Sequence, residues 1–306
     1  MNSTPSAATG GTVFDIGYRG YDGPREGRAA ARLAVYVDGV RAALGFGRGG
    51  RAKILPWSFL ALLSLIALIL ALVAGAAERL AGPGASQQLN LPSHGDLFAF
   101  ASVILYAFAA LVAPELICRD KRDGTLSLYL VRPLTGGDYI IARWTAFLSV
   151  MLLAALGPQL VLFGGLALGH PTPLSYLKDH WLDLPRIVGS ALVMASYLTS
   201  FAMLVASFTS RRAYASVFLV GLFAITTPFT AGVSQEINGP VGQWIAMFNL
   251  TNIPLHVNDV LFGELTALTE ESPAHDLPQW LHVAWWALWT GVMSGLLYRR
   301  YRRIAP

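Results

Sequence analysis

Six stretches of the 306-residue chain, 54–77, 97–114, 144–169, 187–210, 213–235 and 277–298, run without a formal charge for about the length of a membrane-crossing helix. Roughly 20 apolar residues rising about 1.5 Å each cover the ~30 Å hydrocarbon layer, where an unpaired backbone group costs several kcal/mol, so each stretch has to be helical. The expected fold class is all-α integral membrane with six transmembrane helices, and the function is to be sought in or across the bilayer.

The basic residues orient this array. If the 53 residues before the first span are cytoplasmic, 19 of the 22 Lys and Arg fall on the cytoplasmic side, and only Arg79, Lys178 and Arg186 lie outside. The opposite orientation would invert the bias that short basic loops impose on insertion, so both termini are expected in the cytoplasm. The pI near 9.3 follows from that topology, which removes the argument for a nucleic-acid partner. A chain that is 54% hydrophobic and 13% charged is far from the ~25% charged balance of a soluble domain. The single cysteine, Cys118, permits no intrachain disulfide and reads as a structural thiol at the cytoplasmic end of span two.

Three regions follow. Residues 1–23, rich in Ser, Thr, Ala and Gly at their start, form a disordered cytoplasmic tail with no visible signal peptide, so the first span directs insertion. Residues 24–53 hold an amphipathic interfacial helix and a glycine-rich joint. Pro24 suits its first turn, Leu33, Tyr36, Val37, Val40 and Leu44 share one face, and Arg25, Arg28 and Arg32 flank it toward anionic lipid. Packing against a soluble partner is the alternative for this helix, and Gly39 weakens it in either setting. Residues 54–306 form the six-helix domain.

Within the spans, Pro56, Pro114 and Pro158 are tolerated where freed carbonyls find partners. Only Pro158 is expected deep in a span, with Gly157, Gly164 and Gly165 thinning that helix for close packing. Gln159, Ser196, Tyr197, Thr199, Ser200, Thr226, Thr227 and Thr230 are assigned to helix-to-helix hydrogen bonds ahead of a substrate path. Between spans five and six, Val241 to Leu250 is too short to cross and reads as a re-entrant or interfacial helix on the external face. Trp244, Trp280, Trp285 and Trp286 fit an outer aromatic belt, Trp57 and Trp144 an inner one. The Asn249-Leu-Thr251 sequon is assigned to chance.

Several chemistries lack their residues. Ala52, Asp120 and Leu177 precede the three lysines, so no Walker loop with Gly before Lys exists, and there is no His-Glu-x-x-His or Gly-x-Ser-x-Gly. No span carries a central charge of the kind ion-driven pumps use, and Glu115, at a helix end, is expected to snorkel or to pair with Arg119. His94, His170, His180, His256, His275 and His282 fall on or near the external side without helical ligand spacing, and read as scattered interfacial histidines with no metal.

The most informative cytoplasmic segment runs from Pro114 to Trp144. Arg119-Asp-Lys-Arg-Asp123 forms a charged turn ending at Gly124, Thr125 can cap the short apolar run Leu126 to Val131, and Pro133 stops it. Acidic and basic residues, then Gly-Thr-Leu, a short apolar helix, Arg-Pro-Leu, and Tyr139 ahead of Arg143 at the next span together resemble permease subunits of the ABC-2 type transporter family. The surface helix, six spans, cytoplasmic termini and external element before span six are similar too. Family members often place Lys where Arg143 stands.

This resemblance implies a membrane-spanning permease that moves a substrate, in the export direction, with ATP hydrolysed on a separate ABC ATPase subunit. It implies a plasma (inner) membrane location, no catalytic residue and no cofactor on this chain, with ATP and magnesium on the partner. It further implies that the permease pairs with a second copy or a pseudo-symmetric permease, with the substrate passing between spans that include two and five. By resemblance, Arg119, Asp120, Arg122, Asp123, Gly124, Thr125 and Leu126 touch the ATPase through the coupling helix, and Arg28 and Arg32 are weaker candidates. The competing reading is a non-transporting membrane anchor or regulatory subunit that recruits a soluble partner through the same loop. An intramembrane enzyme lacks its nucleophile, metal cluster or paired carboxylates.

Overall fold

The computed structural model describes residues 27–47, 49–82, 88–89, 91–125, 134–170, 172–237, 239–266 and 268–303. The tail over 1–23, Pro24 and Arg25, and the coupling helix expected over 126–131, Leu126 included, lie outside the described residues, as does Pro133.

The described residues are all-helical: α1 (Arg28–Ala43), α2 (Arg51–Ala81), α3 (His94–Arg122), α4 (Gly136–Gly169), α5 (Pro173–Asp179), α6 (Asp183–Ala206), α7 (Arg212–Glu236), α8 (Pro240–Met247), α9 (Asn252–Phe262) and α10 (Gln279–Arg302), with a 3-10 turn at Pro273–Asp276. Five of them, α2, α3, α4, α6 and α7, are long and apolar enough to cross a membrane. The sixth expected span falls in α10, a 24-residue helix whose apolar content is diluted by four tryptophans, His282 and terminal arginines. The spanning helices outrun the uncharged stretches that announce them; α4 starts eight residues before Trp144 and carries Asp138 and Arg143 in its first turns.

Two helix starts are written in the sequence as Ser/Thr-x-x-Asp. Ser93 and Asp96 at α3, and Thr135 and Asp138 at α4, form reciprocal capping boxes that satisfy backbone N–H groups at the helix start. The packing is set by small residues. A Cβ on Gly165 would sit 2.4 Å from Ala71 Cβ, and one on Gly169 would sit 2.7 Å from Gly75 Cα, so α2 and α4 approach nearly backbone to backbone. That is the packing role expected of Gly165; Gly157 and Gly164, given the same role, face open space instead. Pro228 was not counted among the span prolines, yet it too lies within α7. Around it the Thr226, Thr227 and Thr230 hydroxyls donate to the carbonyls of Leu222, Phe223 and Thr226 of their own helix.

α3 and α6 form the centre, each with 72% of its most apolar window buried by other helices, whereas α2 and α7, at 28% and 22%, present apolar side chains outward at the bundle's edge. α10 packs on α6, α4 and α9, while α8 and α9 lie across the end of the bundle where α3 begins, α8 on α7 and α9 on α6, α10 and α3. α1 packs mainly on α4. Its buried stripe is Val35, Gly39 and Ala43, one residue every four, and a Cβ on Gly39 would lie 2.7 Å from Ala146 Cβ. Gly39, which weakens the helix in isolation, is thus what lets it seat on α4, while Leu33 stays 60% exposed on the other side.

Candidate functional site

The charged turn expected at the cytoplasmic end of span two is the end of α3. Asp123 caps it, its N–H donating to the Arg119 carbonyl at 2.9 Å, and Gly124, with φ +66°, turns the chain away. The Thr125 hydroxyl donates back to the Asp120 carbonyl at 3.4 Å, which places it on α3's last turn. Arg119, Arg122 and Asp123 have side chains 49%, 66% and 39% exposed. The hydrogen bond from Arg122 Nε to Asp123 Oδ1, at 3.0 Å, holds the Asp123 carboxyl below the usual carboxylate range. These three residues and Gly124 form an exposed knob of mixed charge.

Asp120 points the other way. It is 8% exposed, and its Oδ2 accepts from Tyr139 Oη at 2.5 Å and from Arg143 Nη2 at 2.8 Å. Arg143 is 2% exposed; its Nη1 lies 2.9 Å from Asp38 Oδ2, so one buried guanidinium ties α4 to both α3 and α1. One turn earlier, Asp138 receives Arg28 Nη2 at 2.5 Å and Arg32 Nη2 at 2.6 Å. Arg28 and Arg32, singled out as partner contacts, are therefore engaged with α4 and still about half exposed. Asp38, Arg119, Asp120, Asp123, Thr125 and Arg143 surround a small cavity of about 160 Å³. Glu115, also on its wall, pairs with Arg212 at the start of α7. Lys121 donates to the Ser207 carbonyl beyond the end of α6 and lies over the Tyr301 ring of α10 at 5.4 Å. The end of α3 is thus bonded to α4, α6, α7 and α10, and through Arg143 of α4 to α1.

Asp38 and Asp138 were missed in the sequence. The Thr-x-x-Asp box could have found Asp138; Asp38, 105 residues from Arg143, had no local signal.

At the opposite end, a cavity of about 490 Å³ opens between α3 and α7 beneath the turn joining α8 to α9. Tyr106 Oη donates to the Thr251 carbonyl at 2.8 Å, Tyr197 Oη to the Leu250 carbonyl at 2.9 Å, and the Thr227 and Thr251 hydroxyls meet at 2.7 Å. Asn249 is 4% exposed, so its sequon is buried. Gln159 and Ser200 make the expected bonds between helices, Gln159 to His94 and Ser200 to Ser294, whereas Thr227 lines the cavity. Trp285 and Trp286 are drawn into the protein, their indole N–H groups donating to the Met247 and Val193 carbonyls, while Trp244 and Trp280 stay exposed as belt residues do.

The histidines are less scattered than their spacing suggests. His256 and His282 stack with ring centroids 4.8 Å apart, and with Asp259 and His275 they line a second cavity of about 160 Å³. Burial pushes the Asp259 carboxyl up to about 6 and the His256 imidazole down to about 3. Among the described residues, no three His, Cys, Asp or Glu side chains are arranged to hold a metal ion.

A family model described as ABC-2 family transporter protein matches residues 51–304. The chain is also 25% identical, over 220 residues, to the Probable ABC transporter permease protein NosY of Pseudomonas aeruginosa, an alignment that covers 68% of this chain and 78% of that protein.

Proposed function

Because the chain belongs to the ABC-2 family of transporters, we propose that it is a permease subunit that exports its substrate with energy supplied by ATP hydrolysis on a separate ABC ATPase. The observation that carries this reading is the exposed knob at the end of α3, bonded through buried Asp120 and Arg143 to α4 and α1. A partner that moves the knob moves three helices with it, which is the differential contact that any coupled transporter needs between its two states.

The division of labour among the candidate residues follows from exposure. Arg119, Arg122, Asp123 and Gly124, with Leu126, are the surface that meets the ATPase. Asp120 and Thr125 hold that surface on α3, and Arg28 and Arg32 position α1 beside it. ATP and magnesium bind the partner, and this chain contributes no catalytic group.

The reading extends to topology. At about 1.5 Å per residue α10, with 24 residues, is ~36 Å long and serves as the sixth span, its Arg299, Arg300 and Arg302 on the cytoplasmic side with the knob. Both termini are cytoplasmic, the protein sits in the plasma (inner) membrane, and a second permease faces it across α3 and α7.

Solubilising native membrane in mild detergent, capturing the tagged chain and assaying the eluate tests this directly. The expected result is a stoichiometric ATPase with a Walker loop and measurable hydrolysis. Gly124→Pro, or reversing both Arg119 and Arg122, should leave insertion intact and remove that association; wild-type association in both variants would end the coupling assignment. Capture of the chain alone, or with a partner that binds no nucleotide, would favour the anchor.

A further inference from the structure

A groove of about 340 Å³ runs between α1 and α4, walled by Arg32, Leu33 and Tyr36 of one helix and by Asp138, Ile141 and Thr145 of the other. At about 100° per residue Tyr36 and Asp38 lie roughly 160° apart on α1, so the groove opens on the flank of α1 opposite the cavity beside the knob.

Its charge sits at one end. Asp138, 6% exposed, is the one carboxylate on the wall, and Arg28 and Arg32 both reach it through Nε and Nη2. Two guanidiniums on one carboxylate leave a positive charge over, and among the described residues neither Nη1 has a hydrogen-bond partner. A half-exposed guanidinium with free N–H groups is the donor that phosphate oxygens match best. The rest of the groove is apolar and asks for no polar ligand. Leu33 and Ile141, 60% and 52% exposed, flank it, while the Tyr36 hydroxyl is bonded to Ser149 Oγ at 3.0 Å and the Thr145 hydroxyl to the Ile141 carbonyl at 2.9 Å. Depth follows the same division. Asp138 precedes the uncharged stretch 144–169 by about 9 Å of helix, the level of lipid headgroups, and Thr145 lies within that stretch.

We propose that this groove is a site for one anionic phospholipid of the cytoplasmic leaflet, its phosphate on the free arms of Arg28 and Arg32 and an acyl chain along Leu33, Tyr36, Ile141 and Thr145. A lipid seated there bridges α1 and α4, the two helices that Asp38 and Arg143 join beside the knob. The choice of leaflet rests on the permease reading; the binding chemistry does not.

The test uses the delipidated full chain with its co-purified partner, titrated in detergent with dioleoylphosphatidylglycerol or dioleoylphosphatidylcholine and read by native mass spectrometry. One phosphatidylglycerol should be retained, at least about fivefold more tightly than phosphatidylcholine. Glycerol 3-phosphate, the head without its tails, should not compete. Arg32→Gln cancels the surplus charge while Arg28 still pairs Asp138, and should bring the two lipids level with α1 amide exchange unchanged. Ile141→Trp, from the exposed face of α4, should displace both lipids with the arginines intact. Equal retention of the two lipids by the wild type, undiminished retention in Ile141→Trp, or a preference that survives Arg32→Gln would overturn the proposal. So would a photocrosslinker at Ile141 that captures a polypeptide in native membrane instead of lipid, since a protein would then own the groove. Because retention is read without hydrolysis, failure of the ATPase to co-purify counts against the permease reading and leaves this result separate.

Discussion

Arg143 is a charged side chain near the start of α4, 2% exposed, held by Asp120, Asp38 and the face of Tyr139. Removing one partner of a buried ion pair typically costs about 3–5 kcal/mol, because the charge left behind stays desolvated. Arg143→Met should lower stability by about that much in detergent, whereas Arg143→Lys, which keeps the charge but cannot fork between two carboxylates, should lose less than half of it. Thermal unfolding of the three proteins checks this, and equal loss in both variants would show that packing, not charge, is what matters there. The sequence displayed Arg143 as the basic residue opening a span, but not its partners: Asp120 and Asp38 are 23 and 105 residues away, and no periodicity connects them. A second residue-scale expectation concerns α9. Asp259, raised to about 6 from 3.8, contributes stability that is complete below pH ~4 and lost as pH rises through 6. His256, lowered to about 3 from 6.5, contributes stability that is complete above pH 6.5 and lost as pH falls toward 3. The two oppose each other over the same window. Asp259→Asn should therefore leave an α9 that loosens between pH 6.5 and 4.5, and His256→Gln one that tightens, read as amide exchange corrected for intrinsic rate. Shifts of the same sign in both variants would refute the assignment.

α1 illustrates what an element can and cannot reveal about itself. Its arginines and apolar residues at helical spacing read as a surface helix; of the predicted apolar face the structure keeps Leu33 outward with the flanking Arg28 and Arg32, whereas Tyr36, Val40 and Leu44 pack on the core of the bundle. What was not legible is that its second face, the small-residue stripe Val35, Gly39 and Ala43, belongs on α4, because glycine and alanine carry little hydrophobic signal although they permit the closest approach. Two half-exposed arginines on one carboxylate contribute modestly, about 0.2–1 kcal/mol each, so Arg28→Ala alone should barely loosen α1. Asp138→Asn removes both pairs and the carboxylate of the α4 capping box, and should speed exchange of α1 amides by roughly tenfold while α6 amides stay protected. Unchanged α1 exchange would place its anchorage in the Gly39 seam, the Asp38–Arg143 pair and the Tyr36–Ser149 bond. The span ends were blurred for a related reason: a helix that leaves the hydrocarbon continues through charged residues, as α3 does to Arg122 and α4 does from Gly136, so uncharged length marks the bilayer and not the helix.

At the scale of the whole molecule, the ends of the helices carry the topological argument. The positive ends of α3 and α10 and the start of α7 meet on one side, where Lys121 lies over Tyr301, Arg300 lies 4.4 Å over the Phe208 ring, and Arg212 pairs with Glu115. That side carries the knob, while α8, α9 and the outer cavity lie at the other end, with Arg79, Lys178 and Arg186 the basic residues assigned there. A chain with α10 crossing the bilayer must place 209 and 303 together on the basic side; a chain with five crossings and α10 lying on the surface leaves 303 outside. The low apolarity of α10 does not decide between these, because Trp285 and Trp286 spend their polar N–H groups on carbonyls inside the bundle and His282 is buried at 4% exposure, so three of the residues that dilute it are turned to protein. Single cysteines at Thr209, Ser272 and Arg303, in a background where the native Cys118 is buried, separate the two arrangements by labelling intact cells with a membrane-impermeant maleimide. Ser272→Cys should react from outside, and Thr209→Cys and Arg303→Cys only after the membrane is opened. Reaction of Arg303→Cys in intact cells would remove the sixth span, and with it the cytoplasmic position of the C-terminus that the basic residues at the end of α10 imply.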